Sequence, residues 1–189
     1  MPDPFDLLAH DHQQVRAMLE QLERNSPTAL TTESEVNLRK LAVDRLVIAE
    51  SRHEAAEEMY FWPAVVALVP EGRVMADRGR EQEDQAKQVL QMLDKTGPRE
   101  VSFEKLVAQF APPALEHIAY EEEIVWPQLR SRLSAEAAAD LGRKLANAKK
   151  LAPTRPHAQT PSNPAVLKTA GLVSALTDRV RDAIIGRGD

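Results

Sequence analysis

Histidine and glutamate recur in this chain four residues apart, as His53 with Glu57 and again as His117 with Glu121. Residues at i and i+4 lie on one face of an α-helix, one turn apart. Each pair therefore aims an imidazole and a carboxylate in the same direction, a donor set that suits iron, manganese or zinc. A single His-x-x-x-Glu is most often a solvated stripe. Here the neighbourhood repeats as well: Glu58, Trp62 and Pro63 of the first copy return at the same offsets as Glu122, Trp126 and Pro127. Ala55 and Ala119 also coincide, and the remaining residues of the two windows are unrelated. A repeat kept for packing would hold the apolar positions and let the polar ones drift, so this pattern points to chemistry. Side chains converging from facing helices are how two-metal carboxylate sites are built inside bundles.

A two-metal site also needs donors from the remaining helices. The segment starting at His12 can be laid over the segment starting at Glu83, with Gln14 on Gln85, Leu19 on Leu90 and Leu22 on Leu93. The overlay adds His12 and Glu83 to the candidate ligands, with Glu81 and Asp84 as alternatives to Glu83. Taken alone, His12 reads equally well as a surface or capping histidine, and Glu83 as a solvated charge. Glu54, next to His53, and Tyr120, on roughly the face of Glu121, could reach the same centre; Tyr120 is otherwise a core tyrosine. His10 points to a different face of its helix from His12, and His157 falls in a proline-rich stretch. Trp62 and Trp126 read as packing residues below the site.

These side chains need helices to carry them, and helices are what the chain predicts. Asp3 caps and Pro4 opens a helix to about Arg24, with Leu8, Val15, Leu19 and Leu22 on one face. Residues 32–35 fit a capping box for a long second helix, which carries His53 and Glu57, kinks near Pro63 and stops before Pro70. A third helix runs from about Arg73 to Lys95. A fourth, capped by Ser102, continues to about Leu133, with Pro112 and Pro113 breaking or restarting its first turns. No segment alternates as a strand does. Four helices with short connections predict an all-α fold, an antiparallel up-down four-helix bundle. Additional C-terminal helices follow. Ser134 caps a short Ala-rich one to about Lys150, which completes a unit over residues 1–150. Residues 151–164 carry four prolines and predict an extended linker. Residues 165–189 form an amphipathic helix on Val166, Leu172, Val173, Leu176, Val180 and Ile184. It could dock on the bundle or bind a second subunit, and docking is the expectation because it is too short to stand alone.

Composition removes several functions from consideration. The net charge is −5 and no basic cluster stands out, so nucleic acid is not an expected partner. No run approaches the roughly 20 apolar residues of a membrane span. The chain has no cysteine, which excludes disulfides, iron–sulfur clusters and thiolate catalysis. The first residues lack a signal-peptide pattern, and the expected location is cytoplasmic.

With Asp11-His12, His53-x-x-x-Glu57 and His117-x-x-x-Glu121, residues 3–133 resemble hemerythrin-like proteins with an HHE cation-binding domain. The proline-rich stretch and terminal helix resemble the tails of actinobacterial members. The resemblance implies a four-helix bundle around two non-haem iron ions with an oxo or hydroxo bridge. It makes His12, His53 and His117 terminal ligands, and Glu57 and Glu121 bridges. Members usually carry a histidine on the third helix. This chain has none between His53 and His117, and Glu83 stands in that place. Three imidazoles with three carboxylates are a harder, more anionic set than the histidine-rich pair of oxygen carriers, and favour ferric iron. A ferric pair suits peroxide better than oxygen carriage. The expectation is therefore a catalase-like or peroxidase-like reaction with hydrogen peroxide in oxidative-stress defence, with Tyr120 the one candidate participant beyond the ligands. The alternative is reversible binding of dioxygen or nitric oxide, or iron or redox sensing, without turnover. A storage or structural bundle for zinc or manganese would use the same residues.

Overall fold

The computed structural model describes residues 3–25 and 32–155. Among these, all regular structure is helical. Helix α1 (Pro4–Arg24) opens on Asp3, whose carboxylate accepts from the backbone N–H groups of Phe5 and Asp6 at 2.8 and 3.2 Å. Helix α2 (Glu33–Ala56) opens on the expected capping box between Thr32 and Glu35. Near Pro63, where a kink was expected, the helix takes a widened turn. A π-helical turn, Glu57–Phe61, leads into α3 (Trp62–Leu68). The reason is the proline. Its ring would collide with the Met59 carbonyl four residues back, and it has no N–H to offer. Widening the turn lets the Trp62 N–H reach the Glu57 carbonyl five residues back. Pro63 then sits at the start of α3, where a missing N–H costs little.

Helix α4 (Gly72–Lys95) returns along the bundle. Helix α5 (Val101–Tyr120), a second π-helical turn (Glu121–Val125) and α6 (Trp126–Arg130) repeat the device, with the Trp126 N–H on the Glu121 carbonyl and Pro127 just inside α6. Two expectations for this helix are corrected. Ser102 is not its cap: the helix starts at Val101 with Glu100 in the cap position. The Glu100 carboxylate turns back to accept from the Gly97 N–H at 2.7 Å, closing the preceding turn. Pro112 and Pro113 do not break α5, which runs through both. Their ring positions orphan the carbonyls of Ala108 and Gln109. Both residues are exposed, so water takes the lost bonds. Helix α7 (Ala135–Leu151) is capped by Ser134, as expected.

The four long helices close into a ring, α1 beside α2 and α5, α4 beside the same two. Helix α7 lies over α1, α2 and the first π turn. The interior is stratified. Val15, Val47, Leu90, Phe103 and Phe110 belong to one apolar layer. Leu8, Phe61, Trp62, Leu129 and Leu145 belong to another. On every long helix the candidate ligands fall between residues of these two layers. Beyond α7, Ala152, Thr154 and Arg155 are buried against the bundle, and Arg155 donates from Nη1 to both oxygens of Asp94 at 2.8 and 3.0 Å. The rest of the expected linker, with His157, and the expected C-terminal helix lie outside the described residues. No helix among the described residues is long and apolar enough to cross a membrane.

Leu90 is fully buried in the layer away from the lower tryptophans. Leu90→Ala should lower the unfolding free energy by about 2–5 kcal/mol in a urea titration. A loss of less than about 1 kcal/mol would show that this layer is loosely packed.

Candidate metal centre

The helical phase explains how six side chains meet. His12 comes from the middle of α1, His53 from the last turn of α2, Glu83 from α4 and His117 from α5. Glu57 and Glu121 each open a π turn. All six are at most 9% exposed. Their donor atoms form two groups: His12, His53, Glu57 and Glu121, and then Glu57, Glu83, His117 and Glu121. Within each group all donor atoms lie within 4.8 Å of one another. The two groups share Glu57 and Glu121.

The rings are oriented from outside. His12 Nδ1 lies 2.9 Å from Glu122 Oε1, and Arg16 grips both oxygens of Glu122 at 2.9 and 2.7 Å. His53 Nδ1 lies 3.3 Å from Asp11 Oδ2, and Lys149 of α7 binds the other oxygen of Asp11. His117 Nδ1 lies 3.1 Å from Gln82 Oε1. An ionised carboxylate or amide oxygen accepts only, so each ring carries its hydrogen on Nδ1 and turns a lone pair on Nε2 inward. The Arg16 hydrogen bond holds the Glu122 carboxyl below its ordinary range. Burial pushes Asp11 up, but His53 and Lys149 outweigh it and keep it low.

Inside, the lone pairs face one another. His12 Nε2 is 3.3 Å from His53 Nε2 and 3.2 Å from Glu121 Oε2. His53 Nε2 is 3.1 Å from Glu57 Oε2. His117 Nε2 stands 3.8 Å from Glu121 and 3.9 Å from Glu83. Neither oxygen of Glu57 or Glu121 makes a hydrogen bond, nor does Glu83 Oε2 or His117 Nε2. Buried polar atoms are normally satisfied, and buried charges paired. A cluster of inward-facing acceptors this close together fits divalent or trivalent cations.

Without a cation, protons must substitute. Burial, then the nearby Glu121 and Glu83, push Glu57 well above the ordinary carboxylate range. Burial does the same to Glu83, helped by Glu58 and Glu54. Burial also pushes Glu121 up, but His117 and His12 outweigh it and hold it low. Burial pulls His12 down, yet Glu121 and Glu122 raise it overall. Burial lowers His117.

The structure thus brings together His12, His53, Glu57, Glu83, His117 and Glu121. The alternatives to Glu83 face outward: Glu81 and Asp84 are exposed. His10 is exposed and pairs with Gln14 at 3.0 Å. Tyr120 is buried, but its hydroxyl donates to the Met75 carbonyl at 3.1 Å, so its phenol is not among the converging donors. Sequence reasoning missed Gln82, Glu122, Arg16 and Lys149, and used Asp11 only as part of a motif. A usable signal existed. Asp11, Gln82 and Glu122 each adjoin a converging residue in sequence. A neighbour on a helix points about 100° away, which here is toward the histidine of the adjacent helix.

A four-helix bundle with a buried His and Glu cluster between its apolar layers is a metal-binding bundle. The chain belongs to the hemerythrin HHE cation-binding domain family, whose sequence profile matches residues 3–129. It is 28% identical over 133 residues to an uncharacterised hemerythrin-like protein of Schizosaccharomyces pombe; the match covers 70% of this chain and 66% of that relative. The fold is similar to the crystal structure of a hemerythrin HHE cation-binding domain-containing protein from Mycobacterium kansasii. The TM-score is 0.65 at 18% identity, over 94% of this chain and 99% of that one.

Metal binding requires Glu57 and Glu83 to lose the protons that burial favours, so uptake should release protons and weaken as pH falls. Calorimetry with divalent metal in buffers of different ionisation heat checks this. The same metal should raise the thermal midpoint, by an amount equivalent to about 4 kcal/mol at a thousandfold excess over Kd. Glu121→Gln, which weakens both donor groups, should remove most of that gain.

Proposed function

We propose that the six converging residues hold two iron ions, with Glu57 and Glu121 shared between them, and that the pair reacts with hydrogen peroxide in oxidative-stress defence. The observation that carries the reading is the pair of buried glutamates common to both donor groups, with all four oxygens lacking hydrogen bonds. Two shared carboxylates are what two adjacent cations need. Three carboxylates against three imidazoles favour the ferric state, which argues for oxidant chemistry over oxygen carriage.

The space among the ligands is small. A cavity of about 10 Å³ is lined by His12, His53, Glu83 and His117 on its polar side, with Val15 and Ile118 among its apolar walls. That is room for about one water-sized molecule at most and too little for an organic substrate. Glu54 brings a carboxyl group to the same wall, where burial favours its neutral form. In the overall reaction one peroxide is oxidised to dioxygen and a second is reduced to two waters. Iron, when bound, supplies the acceptor and donor of the two electrons exchanged. The chain's own residues do the rest. The outer acceptors fix the imidazoles, the glutamates balance cationic charge, and the apolar layers exclude bulk water.

Iron-loaded protein should evolve dioxygen from hydrogen peroxide at an oxygen electrode, and zinc-loaded protein should not. His53→Ala should abolish the activity. Oxygen release no faster than from the same amount of free iron would overturn the reading. A reversible spectrum with dioxygen or nitric oxide, without turnover, would instead favour gas binding.

A further inference from the structure

The repeated tryptophans were expected to be packing residues. They occupy equivalent sequence positions, five residues after Glu57 and five after Glu121, yet their polar edges do different things. The Trp62 indole N–H donates to Glu83 Oε1, in the buried interior. The Trp126 ring stacks on the His12 imidazole, centroids 5.1 Å apart and planes 15° off parallel. Its own Nε1 is buried without a hydrogen-bond partner. Trp62 therefore engages the α4 donor through its N–H, and Trp126 engages the α1 donor through its face.

The cause lies one turn before each donor. Four residues before Glu83 stands Gly79, and a methyl group added there would run into the six-membered ring of Trp62. Four residues before His12 stands Leu8, fully buried in the same layer. Gly79 opens a slot in α4 that admits the indole deeply enough for its N–H to reach the carboxylate above. On α1 the leucine fills the corresponding place.

We propose that Trp62 is a positioning residue for the α4 donor. Seated in the Gly79 slot, it donates to Glu83 Oε1, the oxygen that stands 3.9 Å from His117 Nε2, and so fixes the rotation of the carboxylate, whose Oε2 has no hydrogen-bond partner. A carboxylate is shorter than an imidazole and free to rotate about its last bond. The indole N–H removes that freedom and so lets a glutamate serve where the opposite helix uses a histidine. Positioning donors outside a metal site alter affinity by about 10–100-fold when removed. The inference rests on the reading of Glu83 as a ligand.

The test loads full-length protein with Fe(II) under argon, removes unbound metal by desalting and counts iron per chain by mass spectrometry. Wild type is expected to keep two. Trp62→Phe, which retains a ring in the slot, should weaken the second iron by about 10–100-fold and leave the first bound. Gly79→Ala, which drives the indole out, should do the same. Trp126→Phe keeps an aromatic ring over His12 and removes an N–H that bonds nothing, so it should retain two. Two tightly held irons in Trp62→Phe would overturn the positioning role while leaving the ligand reading intact. Fewer than two in wild type would overturn both.

A second readout does not depend on the folding of Trp62→Phe. The chain contains two tryptophans, so ¹⁵N-labelled indoles give two N–H signals, assigned by the one lost in Trp126→Phe. The Trp62 signal should lie downfield, exchange slowly with water, and move back in Glu83→Ala. A Trp62 signal at the position of a non-bonded indole, unchanged in Glu83→Ala, would equally overturn the proposal.

Discussion

Negative charge confined to an apolar interior is the constraint on which the rest of this molecule depends. Three glutamates meet between two layers of aliphatic and aromatic side chains, with lone pairs of three imidazoles turned toward them. Withdrawing even one carboxylate from water costs several kcal/mol before compensation. Such a cluster persists only where cations, or protons in their absence, neutralise it. The bundle is therefore two apolar bodies joined across a polar seam, and filling that seam is part of folding as much as of chemistry.

The seam extends beyond the converging donors. Each imidazole is braced by an acceptor from a neighbouring helix, and two of those acceptors are braced in turn by cations. Arg16 does this for Glu122 at the half-exposed rim. Lys149 does it for Asp11, and it comes from α7. Helix α7 thus covers the α1–α2 face and also takes part, through Asp11, in fixing His53. The differing braces leave the two donor groups electrostatically unlike. His12 and His53 lean on carboxylates and His117 leans on a neutral amide, while Glu83 lies on the same side as His117.

Much of this was legible before any coordinates. His53-x-x-x-Glu57 and His117-x-x-x-Glu121 fixed two helix faces because four residues are close to one turn. Asp3 with Pro4, the Thr32–Glu35 box and Ser134 marked helix starts by local hydrogen bonding, which sequence encodes directly. Glu83 was reachable only through the leucine register of α1 and α4, and a choice among Glu81, Glu83 and Asp84 needed the helical phase that burial reveals. Ser102 misled because a capping residue type is common inside helices too. Pro112 and Pro113 misled because the penalty of a proline depends on whether the orphaned carbonyls can reach water, which is a tertiary fact. The same dependence hid the π turns: Pro63 announced a disturbance and Pro127 passed unread, and the form of both turns was set by the need to keep each glutamate and the tryptophan below it facing inward. The bracing roles of Gln82, Glu122 and Lys149 exist only between helices, and the sequence hinted at Gln82 and Glu122 solely by placing each beside a converging residue.

Those π turns have one further consequence. Each wide turn holds one residue more than a plain turn, and so advances the phase of everything after it by about 100°. Upstream of the insertion, α2 and α5 are keyed to the metal-binding seam; downstream, α3 and α6 are keyed to the lower apolar body. The two stretches of each rod can thus satisfy incompatible angular demands. The repeated Trp-Pro acts as a spline joint, coupling two gear wheels that would otherwise mesh out of step.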